Sequence, residues 1–136
     1  GMELQPKHMT EEERAEARRA IADYKEYRDI VMQGDLYRIG SPYDEDGCYG
    51  LAYVSKDKRR AVVFTYCLLY QSRTVPQFRI RGLDPDTRYT VREMNTEEPR
   101  FWFDGGTFSG ELLSRMGLNP KLSRIYDSAV FLLEAR

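Results

Sequence analysis

The hydrophobic period of this chain changes once, at Gly34, and that change limits the folds open to it. Before Gly34, Ala17, Ala20, Ile21, Tyr24, Tyr27 and Val31 recur at helical spacing, with Arg18, Arg19, Asp23, Lys25, Glu26 and Asp29 mostly on the other side. After it, apolar residues come in short runs, several of them alternating, broken by turn chemistry. Thr10-Glu11-Glu12-Glu13 has the form of a capping box, and its acidic residues suit the positive end of a helix dipole. Gly34 stands where a left-handed C-cap is wanted. A helix of roughly 22 residues is a rod on the order of 33 Å long. It needs a large surface to lie on, and no second long helix follows it.

Strands are expected at 35–39, 49–55, 61–71, 78–81, 88–94 and 128–134. Lys56-Asp57-Lys58 makes a hairpin turn, and Leu83-Asp84-Pro85-Asp86-Thr87 a second turn with its proline preset. Residues 95–110 read as a loop anchored by Phe101-Trp102-Phe103, and 111–116 as a short helix or turn. Short strands at turn-punctuated intervals argue for a mainly β fold: an antiparallel β-sandwich with one long N-terminal α-helix. The organisation is then an N-terminal extension (1–9), the helix (10–34) and the sandwich (35–136). One run departs from alternation. Residues 62–70 are apolar on both faces, so the outer face must be covered, by the helix or by another domain.

Lys and Arg (21) nearly balance Asp and Glu (22), so the net charge of −1 gives no global pull toward nucleic acid or an anionic membrane. No apolar run approaches the length of a membrane-spanning helix. Neither kind of partner is expected. Cys48 and Cys67 have no metal-ligand spacing and no CxxC pattern; they read as two thiols in a reduced compartment, which points to the cytoplasm. Met2–Thr10 lacks the apolar core of a secretory signal, and Gly1 before Met2 has the look of a residue left by tag removal.

Catalysis needs a constellation, and the candidates are isolated. His8 is the single histidine and has no HExxH or second ligand beside it. Asp44-Glu45-Asp46-Gly47 lacks the spacing of a calcium loop and reads as an exposed turn. Gly40-Ser41 and Gly105-Gly106 form no phosphate-binding pattern, so no cofactor is expected. Arg79, Arg81, Arg88 and Arg92 could line a sheet face for single-stranded nucleic acid, but stacking aromatics are missing from that parity. A salt-bridged solvent face is the plainer reading. Phe101-Trp102-Phe103 reads as a local hydrophobic plug, with a sugar-stacking platform as the alternative.

The stretch "YKEYRDIVMQGDLYRIGSP" (24–42) carries more than its helix-to-strand change. It resembles the junction in family-36 glycoside hydrolase α-galactosidases where the last helix of the catalytic barrel runs into the C-terminal β-domain. Tyr24, Lys25, Arg28, Gly34, Asp35, Leu36, Tyr37, Arg38, Ser41 and Pro42 are the matching positions. The likeness continues through "AYVSKDKRRAVVF", "RIRGLDPDTRYTVRE", "SGELLSRMGL" and "YDSAVFLLE", in that order. Leu51 stands where the family often carries a bulky aromatic, and residues 95–107 have no clear counterpart.

The resemblance implies that the chain is the C-terminal domain of a retaining α-galactosidase acting on oligosaccharides such as raffinose or melibiose. It further implies that residues 1–9 are the end of the last barrel strand and its loop, that 10–34 is the last barrel helix, and that both catalytic aspartates lie in the barrel N-terminal to everything in this chain, so no residue here is catalytic and the chain alone is inactive. A (β/α)₈ barrel takes about 250 residues, more than the chain has. The helix face through Ile21, Tyr24, Tyr27 and Val31 becomes the candidate packing face, for the barrel or for a second copy. The other class is a free-standing carbohydrate-binding or protein-interaction module, with Phe101, Trp102 and Phe103 as its platform.

Overall fold

The helix begins where the capping box puts it. In the computed structural model, which describes residues 9–41, 47–67, 77–96, 98, 100–120 and 127–136, the Thr10 hydroxyl accepts the Glu13 N–H at 3.1 Å. The helix, α1, then runs unbroken over Glu11–Gln33. Its end differs from expectation. Gly34 is extended, with φ −79° and ψ 173°, rather than left-handed. Glycine is required there for room: a Cβ would lie 2.5 Å from the Ile30 carbonyl oxygen and 2.7 Å from that of Val54. The helix stops because it meets the sheet at that point, and the chain turns directly into the first strand.

Among the described residues six strands follow: β1 (Asp35–Gly40), β2 (Cys48–Val54), β3 (Arg60–Cys67), β4 (Arg88–Met94), β5 (Thr107–Ser109) and β6 (Asp127–Ala135), with a short helix α2 (Gly110–Arg115) after β5. Every ladder is antiparallel, in the order β1-β2-β3-β6-β4-β5. The mainly β, antiparallel fold with one long N-terminal helix is therefore what the chain adopts.

Its layers are stacked on the two faces of this sheet. On one face Ala52, Val54, Ala61, Val63, Tyr89, Val91, Phe131 and Leu133 form the main core, with Phe78, Ile80, Leu83, Phe103, Leu113 and Leu118 packed over them. On the other face Val62, Leu132 and Met94 lie under Tyr27 and Ile30 of α1. The double-faced apolar strand is thus explained. Alternate residues of β3 point into each layer, and the helix covers the outer one. Burying each such side chain contributes about 1.5–3 kcal/mol.

Three local readings need correction. Residues 78–81 are not a ladder strand: Phe78 makes an isolated bridge to Leu118, and the Ile80 N–H donates to the Leu113 carbonyl at 3.0 Å. Their alternate burial is real, with Phe78 and Ile80 fully inside, but it serves a segment lying across the sheet rather than within it. Gly117, at φ 74°, allows this approach, since a Cβ there would stand 2.3 Å from the Phe78 oxygen. The 95–110 loop contains β5, which pairs with β4 through Arg88↔Ser109, Tyr89↔Phe108 and Thr90↔Thr107. Finally, Cys48 and Cys67 are not free thiols. They are register partners at the ends of β2 and β3 and form a disulfide. Residues 68–71 of the third expected strand lie outside the described residues.

Candidate functional site

The helix α1 is tied to the sheet unequally on its two flanks. At 100° per residue, Tyr27 and Ile30 point at the sheet, and both are buried. On one side of that line stand Asp23, Glu26 and Asp29. Asp23 accepts the Asn95 N–H at 2.6 Å, Glu26 pairs with Arg92 of β4, and Asp29 pairs with Arg60 of β3 at 3.2 Å. Arg60 also donates to the Glu26 carbonyl at 2.7 Å. This flank, over β6 and β4, is closed by charge.

The other flank is apolar and open. Val31, Tyr24, Ile21 and Met32 follow in that order round this side of the helix, from the sheet toward the face turned away from it, with Tyr24 43% and Met32 78% exposed. The sheet carries the same character onward over β2 and β1. Leu36 is 45% exposed, while Tyr49, Leu51, Tyr53, Phe64 and Tyr66 are half-buried on this face. Their rings are ordered against one another: Tyr27 meets Phe64 edge-on at 5.8 Å, Tyr53 meets Phe64 at 6.0 Å, and Tyr49 stacks on Tyr66 at 5.2 Å. Burial pushes the Tyr27 and Tyr66 phenols above the usual tyrosine range, helped at Tyr27 by the Asp23 carboxylate.

Of the four residues expected on the packing face, then, Tyr27 is taken up by the sheet, Tyr24 is open, and Ile21 and Val31 lie between. Ile30, which the sequence reading passed over, is the most buried residue of the helix. Its position three residues beyond Tyr27 was the signal that could have found it.

The aromatic triplet also divides. Phe101 and Phe103 are stacked at 5.4 Å, and each packs on Phe131 of β6; these two are a plug. Trp102 is 79% exposed and is held edge-on by Phe103 and Phe108. Beside it runs a groove of about 240 Å³, lined among the described residues by Phe108, Leu112, Leu113, Met116 and Leu118 and by Gln77 and Asn119.

The stem of that loop holds Glu93, a buried carboxylate. Arg100 binds it at 2.6 Å and also donates to the Ser128 carbonyl at 3.1 Å, while the Glu93 N–H donates to Asp104 at 2.6 Å. A carboxylate so neutralised and buried anchors the loop. Among the described residues no three His, Cys, Asp or Glu side chains converge on one point. His8 and Asp44–Asp46 lie outside the described residues. The four arginines form no common stripe: Arg92 is paired under α1, Arg88 reaches the Thr107 carbonyl at 3.4 Å, and Arg79 and Arg81 sit on the segment covering the opposite face.

Comparison with known proteins places this geometry. Residues 49–133 match the model of the glycosyl hydrolase family 36 C-terminal domain. The Aspergillus flavus protein named "Probable alpha-galactosidase C" is 33% identical over 136 residues, 98% of this chain and 16% of that protein. Alpha-galactosidase 2 of Hypocrea jecorina is 31% identical over 98% of this chain and 16% of its own length. Among solved structures, the galactosidase domain of the alpha-galactosidase-sucrose kinase AgaSK superposes with a TM-score of 0.81 at 26% identity, over 100% of this chain and 18% of that one. The GH36 alpha-galactosidase AgaA of Geobacillus stearothermophilus gives 0.81 at 26%, over 98% and 17%. The chain thus spans about a sixth of the length of these relatives.

Proposed function

The chain belongs to the C-terminal domains of glycosyl hydrolase family 36, and from that premise we propose that it is the non-catalytic buttress of a longer α-galactosidase. The longer protein would carry a catalytic barrel of which α1 is the last helix, and would hydrolyse terminal α-galactosyl groups of oligosaccharides such as raffinose or melibiose, with retention. AgaA of Geobacillus stearothermophilus has been solved in complex with raffinose, which supports that substrate class. Retention needs two carboxyl groups about 5–5.5 Å apart, one as nucleophile and one as acid/base. The buried carboxylate described here, Glu93, is held by an arginine instead.

The observation that carries the proposal is the two-sided helix. One flank of α1 is ion-paired to the sheet while the other presents Tyr24 and Met32 to solvent. That open flank is the surface for the barrel. In the isolated chain it is also the surface through which two copies would associate. Reading Cys48 and Cys67 as thiols was one ground for a cytoplasmic location, beside the family resemblance; paired as a disulfide, they lend it no support.

A chromogenic α-galactoside tests the assignment. The full-length polypeptide should release the chromophore and the purified 136-residue chain should not. Steady turnover by the chain alone would overturn the assignment. The exposure of Trp102 favours a second reading, a free-standing sugar-binding module, which predicts saturable binding of raffinose by the chain in a calorimetric titration.

A further inference from the structure

The Cys48–Cys67 pair follows from the ladder that holds it. The Ser55 N–H donates to the carbonyl of Arg60, directly opposite, at 2.9 Å. Every second pair from there exchanges hydrogen bonds in turn: Tyr53↔Val62, Leu51↔Phe64 and Tyr49↔Tyr66. Cys48↔Cys67, one step further, is a pair without ladder bonds, and in such pairs the side chains stand closer together. Pairing of β2 with β3 therefore presents one sulfur to the other, at the end of the hairpin farthest from its turn.

Burial decides what can happen to the bond once it exists. Cys48 is 6% exposed and Cys67 not at all, and both belong to the main core with Ile39, Phe78 and Ala129. Thiol–disulfide exchange requires a thiolate to reach one of the two sulfurs. Pairs that cycle between thiol and disulfide are accordingly exposed, whereas this one is closed off by the core it belongs to.

The bond also has something to hold. The hairpin is closed at one end by its turn and at the other by the disulfide. Its second strand, β3, serves both layers, with Val63 in the main core and Val62 under α1. The pair next to the disulfide, Tyr49↔Tyr66, stacks at 5.2 Å on the α1 face. Parting of the strands at Cys48 and Cys67 would reach that stack first. A cross-link between residues 19 apart also restricts the unfolded chain, which favours the folded one.

We infer that the Cys48–Cys67 disulfide is made while the domain folds and is sealed into it thereafter, so that the domain is built to fold in an oxidising compartment and the pair is not a redox switch. The oxidant is itself a disulfide, carried by a small molecule or a protein. One cysteine thiolate attacks it, forming a mixed disulfide and releasing one thiol. The other cysteine thiolate attacks the cysteine sulfur of that mixed disulfide and releases the second thiol. Two electrons pass from the cysteines to the oxidant, and the two cysteine protons end on the released thiols. The first attack needs access that the closed core denies, so it precedes closure. None of this depends on the buttress reading above.

Thiol alkylation with intact-mass spectrometry tests the inference on the 136-residue chain produced by export into an oxidising compartment. Without reductant, no thiol should be alkylated even in guanidinium. After incubation with dithiothreitol, none should be alkylated in native buffer and two in guanidinium. Thiols found in guanidinium without reductant would show that the bond is not made, and two thiols exposed by dithiothreitol in native buffer would show that it is not sealed; either result overturns the inference. The same chain produced in a reducing cytoplasm and kept reduced should melt several degrees lower than the exported chain, or fail to fold. Equal melting temperatures would mean that the domain has no use for an oxidant, which would overturn the inference as well.

Discussion

The Tyr89 hydroxyl donates to the Lys58 carbonyl at 2.5 Å and accepts the Asp84 N–H at 3.1 Å. One buried side chain thereby joins the β2–β3 turn to the turn that leads into β4. Each turn is also closed by its own carboxylate. Asp57 takes the Ser55 hydroxyl and the Arg59 N–H, and Asp84 takes the Asp86 N–H and the Thr87 hydroxyl. Tyr89→Phe should lower stability by about 1–2 kcal/mol, because two backbone groups lose a shared partner at a half-buried site. A urea melt would show this as a lower midpoint at unchanged slope; an unmoved midpoint would contradict the bridging role. The turns themselves were legible from Lys56-Asp57-Lys58 and Asp84-Pro85-Asp86. The bridge was not, since its ends are 31 residues apart. The disulfide was hidden for the same reason: a sequence separation of 19 says nothing of register, and only the β2–β3 ladder sets Cys48 opposite Cys67.

Among the elements, α1 carries the argument. Its existence, its N-cap and its need for a large surface follow from the spacing of Tyr24, Tyr27 and Val31 and from the capping box. That β3 would need a cover was legible too, in the unbroken apolar run from Val62. Which flank of α1 stays open was not legible, because it depends on where β3 and β4 place Arg60 and Arg92 across the sheet. Alternation misled at Phe78–Arg81, where burial of every second residue comes from lying on a sheet and not from belonging to one. The helix makes a sharp contrast testable. Tyr27→Ala removes a ring packed on Phe64 and should cost about 3–5 kcal/mol. Tyr24→Ala, on the open flank, should change stability by less than about 1 kcal/mol. Equal losses in thermal melts would mean that the two flanks are not distinct.

For the molecule as a whole, the shifted groups set a pH window. Burial raises the Tyr27, Tyr66 and Tyr89 phenols above their ordinary value. The folded state thus holds these protons more tightly than the unfolded chain, and the stability they contribute is complete below about pH 10 and lost as pH rises through the folded values. Asp57 and Asp84 shift the other way, held low first by the backbone N–H groups they accept. Their contribution is present above the ordinary aspartate range and is lost as pH falls through the folded values. The denaturation midpoint should therefore decline at strongly alkaline pH, and Tyr89→Phe should blunt that decline. A profile that keeps rising past pH 10 would contradict the buried phenols.

The family-wide pattern was legible because its blocks fall on the turns and ladders that fix the fold. The Trp102 groove was not, since Trp102, Leu112 and Met116 meet only after β5 has paired with β4. The central claim is that this domain steadies a catalytic barrel through the open flank of α1 and takes no part in its chemistry. Heat inactivation of the α-galactosidase activity proposed for the full-length polypeptide, carrying Tyr24→Glu and Met32→Glu, tests it most directly. The account predicts several-fold faster loss of activity on heating, with KM for a chromogenic α-galactoside unchanged at moderate temperature. A raised KM with unaltered heat stability would contradict it.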